Sequence, residues 1–160
     1  MVDVLTPEQR KLNMSRVRGK DTRIEIMLRL GLHAKGLRFR LHRRDLPGKP
    51  DMVFSKSKAV IFVHGCFWHG HCCPRFKLPK TRQEFWGHKV AANQQRDRTA
   101  MEALVRDGWR VLVVWECALM GRARWDFSEV IDACVCFIRS KDVRHELIGR
   151  WERLEHNCRK

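Results

Sequence analysis

The chain has 160 residues, 44% of them hydrophobic, enough for one compact domain with a real core and little room for a second. Thirty-three Lys and Arg against eighteen Asp and Glu leave a net charge of +15, which points to a polyanionic partner, nucleic acid before an anionic membrane. No run approaches the ~18 apolar residues of a membrane span, and "MVDVLTPEQRK" lacks the apolar core of a signal peptide. A cytoplasmic location is therefore expected. There the seven cysteines stay reduced, so that metal binding or packing outranks disulfides.

The elements follow in chain order. "TPEQ" reads as a capping box from Thr6 to Gln9 with Pro7 at the first helical position, opening a helix that should stop at Gly19. "TRIE" is a second box, Thr22 to Glu25, for a helix running to about Lys35 before Gly36. "LRFRLH", residues 37–42, alternates apolar and basic side chains as a half-buried strand does, with Arg38 and Arg40 on its wet face. "DMVF" and "AVIFVHG", joined by "SKSK", predict a hairpin whose second strand is apolar throughout and so lies inside the sheet. "TRQE", residues 81–84, should open a long helix that ends near Asp107 and Gly108, and "WRVLVVWE" after it reads as another buried strand. Two further helices are expected over 126–139 and 142–156. The order α-α-β-β-β-α-β-α-α describes one α/β domain over 1–160. It has three layers, a mixed central sheet of about four strands flanked by helices, with a helical arm over about 1–20 and helices over about 122–160.

"HGCFWHGHCCP" carries three histidines and three cysteines in residues 64–74. Cys66, His71 and Cys73 are spaced C-x4-H-x-C. Cys117 directly follows the strand "VLVVWE" and can supply the fourth corner of a closed tetrahedral site if the two strands run side by side. Thiolate and imidazole donors suit zinc rather than magnesium or calcium. Cys72 could replace Cys73 by one residue of slip. Cys134 and Cys136 read as core residues of a helix, pointing to different sides.

"LPGKPD" brings Asp51 to the start of one hairpin strand and His64 stands near the end of the other, so the two come close, with His69 one loop away. Glu25 can approach from the second helix. A hard cation such as Mg²⁺ takes a few carboxylate oxygens and accepts phosphate oxygens, and a nearby histidine can take a proton from attacking water. That is a kit for phosphodiester hydrolysis. Asp97 falls on the apolar stripe Trp86, Val90, Met101, Leu104 of the long helix. A carboxylate there needs a partner, either a histidine or the neighbouring Arg96 or Arg98.

Together "NMSRVRGKDTRIE", "LPGKPD", "HGCFWHGHCC", "TRQEFW", "RDR" and "GWRVLVVWECAL" resemble the very-short-patch repair (Vsr) endonucleases, in family order from about residue 13 to 121. The resemblance implies a restriction-endonuclease-like fold. It implies an enzyme that nicks one strand of duplex DNA 5′ to the thymine of a T:G mismatch left by 5-methylcytosine deamination, so initiating very short patch repair. Position by position, Asp51 and the backbone carbonyl of Val63 would bind Mg²⁺, His69 would be the general base and Asp97 its orienting partner. His64 would assist at the phosphate, and Glu25 would hold a metal-bound water. Cys66, His71, Cys73 and Cys117 would bind a structural Zn²⁺, which favours Cys73 over Cys72. Phe67 and Trp68, helped by Trp86, would enter the DNA stack beside the mismatch, with Met14 acting from the other groove. The chain departs from the family at Val63, where threonine is frequent, and at Gly70 and Cys72, which carry no role. Expected partners are T:G-containing double-stranded DNA, bound by a monomer, and mismatch-repair accessory proteins. Two other readings compete: a catalytically inactive zinc-containing DNA-binding module, and a restriction-type nuclease cutting paired DNA.

Overall fold

A computed structural model describes residues 6–151. Thr6 caps helix α1 (Pro7–Ser15) with the reciprocal bonds of a capping box to Gln9. The helix ends four residues before Gly19 and buries none of its side chains, so nothing in the core extends it. Thr22 caps α2 (Arg23–Ala34) through the Glu25 N–H. The predicted strand over 37–42 pairs only as β1 (Arg40–Leu41). Leu37 and Phe39 still pack on the core and Arg38 and Arg40 are exposed, so the alternation was real and only the pairing is short.

The hairpin is β2 (Met52–Phe54) and β3 (Ala59–His64), antiparallel, with Phe54 opposite Ala59. The long helix α3 (Gln83–Arg106) leads to β4 (Arg110–Trp115), which pairs parallel to β3 along its whole length. The "TRQE" capping box does not form. Arg82 takes the cap position in a left-handed conformation, φ 55°, with no side-chain cap bond. A short turn of helix, α4 (Glu116–Leu119), is followed by α5 (Phe127–Arg139), which Asp126 caps with Glu129.

The largest correction lies beyond α5. Residues 144–147 form a strand, β5 (Arg144–Leu147), where a helix over 142–156 was expected; residues 152–156 of that range, with Cys158, lie outside the described residues. β5 pairs parallel to β4, and the sheet has five strands in the order β1-β2-β3-β4-β5, against the four expected.

β3 and β4 are apolar on both faces because both faces are covered. On one side Met52, Ile61, Val63, Leu112 and Val114 meet Leu28 and Leu32 of α2 and Val130, Ile131 and Phe137 of α5. On the other, Val53, Val60, Phe62, Val111 and Val113 meet Met101 and Leu104 of α3. This is the expected three-layer arrangement. α3 and α5 connect successive parallel strands on opposite faces, so the two crossovers differ in hand and one departs from the usual right-handed rule. Gly31 lies where α2 meets α5: a Cβ there would stand 2.4 Å from Ile131 Cδ1. The helices close on each other only because that side chain is missing, and burial of Leu28 and Leu32 follows, each costing about 2–5 kcal/mol if cut to alanine. Among the described residues, no helix is long and apolar enough to cross a membrane.

Candidate active site and metal cluster

The hairpin register sets the position of the central carboxylate. Met52 faces Ile61, so Asp51, one residue earlier, arrives at the end of β3, where its Oδ2 accepts the Val63 N–H at 2.7 Å. Burial pushes the Asp51 carboxyl up to about 6, opposed by the Val63 hydrogen bond and reinforced by the nearby Glu25 charge. Glu25 is buried on the first turn of α2. Its Oε1 accepts from the Thr22 hydroxyl and its Oε2 from the Asp21 N–H and from Arg29, each at 2.9 Å. The second capping box thus closes one residue early, on Asp21 rather than Thr22.

His64, the last residue of β3, is also buried, and its ring lies flat on that of His69 with centroids 3.8 Å apart and planes 2° from parallel. Burial, then the neighbouring His69, pulls the His64 pKa down to about 3, so the ring is neutral at physiological pH. His69 Nδ1 meets Asp97 Oδ2 at 2.5 Å. Burial acts to raise the Asp97 pKa, but the hydrogen bond from His69 and the positive groups nearby outweigh it and hold the carboxyl below its ordinary value. A carboxylate can only accept, so the proton of a neutral His69 sits on Nδ1 and leaves the Nε2 lone pair free. Of the two partners open to Asp97, it takes the histidine; Arg96 bonds instead to Asn93 and to the Ala92 carbonyl.

α3 does more than hold His69. Asn93 Nδ2 donates to the Trp68 carbonyl at 2.9 Å and Gln94 Nε2 to the Gly70 carbonyl at 3.0 Å. Three consecutive loop residues are therefore gripped by three residues on one stretch of one helix. Gly70, which carried no role in the sequence, makes this possible. Its φ is +60°, and a Cβ there would meet Gln94 Nε2 at 2.5 Å and Val90 Cγ1 at 2.6 Å. Asn93 and Gln94 were not singled out either; their only signal was lying one helical turn before Asp97.

Cys66, His71, Cys73 and Cys117 offer donor atoms that all lie within 4.8 Å of one another, and Cys72 is not in this group. Parallel pairing places His64 beside Trp115, so the residues two beyond each, Cys66 and Cys117, meet above the strand ends. With Zn–S ~2.3 Å and Zn–N ~2.0–2.1 Å, a tetrahedron separates sulfur from nitrogen by roughly 3.6 Å. His71 Nδ1 lies 3.7 Å from Cys66 Sγ and 3.5 Å from Cys117 Sγ. The donor set fits a zinc ion. The outer contacts are in place too. Gly149 N–H donates to Cys117 Sγ at 3.2 Å, Glu116 accepts the Cys66 N–H at 3.1 Å, and the His71 ring stacks on Trp115 with centroids 4.2 Å apart. Cys134 is buried in the core, whereas Cys136 is exposed on α5, which corrects its reading as a core residue.

Beyond the cluster the same loop carries an aromatic group. Phe67 and Trp68 meet edge to face at 5.2 Å, and Trp86 from the first turn of α3 joins them at 5.5 and 5.9 Å. All three are half-buried against one another rather than in the core. Lys89 Nζ stands 5.6 Å from the Trp68 ring and 5.5 Å from that of Trp86. Phe67, Trp68 and His69 line a cleft of about 630 Å³ together with Arg18, Arg23, Glu25, Val63 and Gly65; Trp86 packs behind the two rings, outside the lining. Asp51 lies just outside that lining, tied to it through Val63. Met14 and Val17 at the end of the α1 segment are exposed, and Val17 reaches the cleft rim.

The cleft thus brings Arg18 and Arg23 to face a histidine bonded to an aspartate, and the chain's relatives are named as DNA mismatch endonucleases and nicking enzymes. Residues 2–75 match the family described as DNA mismatch endonuclease Vsr. The chain is 48% identical over 124 residues to the DNA mismatch endonuclease Vsr of Escherichia coli, spanning 78% of this chain and 80% of that one. It is 54% identical to the type II nicking enzyme V.XorIIP of Xanthomonas oryzae, over 74% and 88% of the two chains. The type II nicking enzyme V.NmeAIP of Neisseria meningitidis is 40% identical over 77% and 88%. The chain belongs to the Vsr family of DNA mismatch endonucleases.

Proposed function

We propose that this endonuclease nicks one strand of duplex DNA on the 5′ side of the thymine in a T:G mismatch, using a magnesium ion at Asp51 and the Val63 carbonyl and a structural zinc ion at Cys66, His71, Cys73 and Cys117. The observation that carries the reading is the convergence at the end of β3: Asp51 bonded to Val63, His64 stacked on His69, and His69 bonded to Asp97. The domain is then a variant of the restriction-endonuclease-like fold, a reading supported by the mixed five-stranded sheet between helical layers.

Asp51 fits a hard cation. It is a mostly buried carboxylate beside a second one, and burial has already raised its affinity for a proton. When bound there, magnesium would stabilise charge on the phosphate oxygens and make water more acidic. The chain's own groups do the rest. His69 takes the proton of the attacking water at Nε2, while Asp97 keeps the ring in that tautomer and stabilises it as it becomes charged. His64, neutral and packed against His69, offers a hydrogen bond rather than a charge at the phosphate. Glu25 fixes solvent at the cleft wall.

His69→Ala is expected to lower nicking by about 10² to 10⁴, the usual worth of a positioned base. Asp97→Asn should lower it less, and both should leave affinity for mismatched duplex near wild type. Single-turnover rates with saturating enzyme separate the two quantities.

Phe67, Trp68 and Trp86 open the base step beside the mismatch. Unstacking costs a few kcal/mol per step and least where pairing is already defective, so the wedge converts weak pairing into selectivity. Phe67→Ala and Trp68→Ala should therefore narrow the ratio of T:G to T:A nicking while the protein remains folded. Met14 would support the opened step from the opposite groove. Binding should also fall by about 10³ or more between 50 and 200 mM salt, as expected when several phosphates are neutralised; a flat salt response would count against a phosphate-tracking surface.

The decisive test incubates the purified protein with Mg²⁺ and duplexes carrying T:G in varied sequence contexts, and maps cuts by strand. Nicks confined to the thymine strand of mismatched duplexes support the proposal. Equal cutting of paired controls would favour a restriction-type nuclease, and retarded mobility without cutting an inactive DNA-binding module.

A further inference from the structure

Beside Asp51 lies a cluster of which the proposed chemistry uses only Glu25. Arg29, on α2 and mostly buried, places NH1 2.6 Å from Asp21 Oδ1 and NH2 2.9 Å from Glu25 Oε2. The same NH2 stands 2.9 Å from Nε2 of His42. Asp21 and His42 both sit in the left-handed region, with φ of 56° and 45°, and His42 directly follows β1. His42 Nδ1 then lies 3.8 Å from Asp51 Oδ1. Asp21, Glu25 and His42 have the residue types of a metal site, but the Arg29 guanidinium already occupies the space between them.

The protonation pattern follows from these contacts. A guanidinium always carries its protons, so an Arg29 nitrogen at hydrogen-bond distance from His42 Nε2 requires the lone pair there. Were Nε2 protonated for Asp21, at the longer 3.4 Å, two N–H groups would point at each other across 2.9 Å. The proton of the ring therefore sits on Nδ1, facing Asp51 Oδ1. Oδ2 is already fixed by the Val63 N–H. Oδ2 thus holds a hydrogen bond, while Oδ1 meets the Nδ1 side of the ring across 3.8 Å, an electrostatic contact longer than a hydrogen bond.

We propose that Arg29 and His42 are positioning residues for Asp51: Arg29, anchored on Asp21 and Glu25, sets the His42 tautomer, and His42 Nδ1–H orients the Asp51 carboxylate for its cation. The inference rests on Asp51 being a metal ligand. It also gives Glu25 and Asp51 a shared cationic partner, which limits their mutual repulsion before any ion arrives.

The test uses the zinc-loaded full-length protein. Nitrogen-15 NMR of the histidines before any Mn²⁺ or Mg²⁺ is added should show His42 protonated at Nδ1 and bare at Nε2, with that preference lost in Arg29→Met. Mn²⁺ affinity, read from the electron paramagnetic resonance of the free ion, should be abolished in Asp51→Asn and weakened about tenfold in His42→Ala, the usual effect of removing an outer partner of a ligand. His42→Gln, which can accept from Arg29 and donate to Asp51 at once, should recover affinity to within about threefold of wild type. Circular dichroism checks that each variant is folded. A His42 ring protonated at Nε2 overturns the inference. So does unchanged Mn²⁺ binding in His42→Ala when Asp51→Asn loses it, a result that leaves the metal site standing. Unchanged binding in Asp51→Asn removes the site itself and the inference with it.

Discussion

Replacing Asp51 with alanine should lower strand nicking by at least about a thousandfold, equivalent to about 4 kcal/mol of transition-state stabilisation, while duplex binding stays within about threefold. The asymmetry is electrostatic. Affinity comes from lysines and arginines spread over a chain of net charge +15, and losing one carboxylate leaves them all in place. On the proposed reading the chemistry depends on one mostly buried carboxylate at the end of β3. Full activity of Asp51→Ala with magnesium present would remove the mechanism. Asp51→Asn supplies a second readout. Burial pushes the folded carboxyl up to about 6 from an ordinary 3.8, so the native state binds the proton more tightly than the unfolded chain. Stability of the metal-free protein is then highest below the lower value and declines as pH rises through the upper one. The amide does not titrate, so Asp51→Asn should melt higher than wild type at neutral pH, and the difference should vanish near pH 3. A position kept for function at the expense of stability behaves in this way.

The second large effect concerns the metal cluster. Cys117→Ser, or stripping the wild type with a chelator, should lower stability by at least about 4 kcal/mol, and so the melting temperature by about 10 °C or more. Cys117 is fully buried in α4, two residues past β4, accepts the Gly149 N–H, and shares the cluster with Cys66, two residues past β3. The contact between Cys66 and Cys117 favours the Cys117 thiolate and pushes the Cys66 thiol up. Metal analysis should find about one zinc ion per wild-type chain. Cys136→Ser, at an exposed site on α5, should keep it. Much of the sheet and helix signal should survive stripping, because the core between the sheet and α2 and α5 contains no residue of the loop, whereas Cys66 and Cys117 belong to the core on the α3 side; nicking should not survive.

Much of this was readable in the residues because local and tertiary preferences agree. β3 and β4 are apolar at nearly every position, and only a doubly covered strand needs that. Thr6 and Thr22 cap helices whose apolar or arm character continues the signal. The hairpin placed Asp51 beside residue 63 because strand pairing leaves little freedom there. Elsewhere the two preferences part. Residues 144–147, "RHEL", favour a helix by composition, yet the open edge of β4 takes them as a strand, with Val111 N–H bonded to the Val143 carbonyl just before it. At "TRQE", Thr81 had the right spacing for a cap, but the chain enters α3 through a left-handed Arg82. Spacing left Asp97 with two possible partners, and only the fold brings His69 to it. Arg29 and His42 gave no warning, since neither belongs to a motif and their meeting needs α2, β1 and the hairpin at once.

The grip of α3 on residues 68–70 has a kinetic consequence. Asn93, Gln94 and Asp97 span little more than one helical turn and fix two backbone carbonyls and one imidazole. On the proposed reading, a probe of base stacking and a proton acceptor hang from the same short stretch of rod. Any tilt that leaves the rings unseated also swings the imidazole off the line of attack. Discrimination would then appear in the turnover of intact duplex as well as in its capture, and a paired site that traps the enzyme would still be spared a cut.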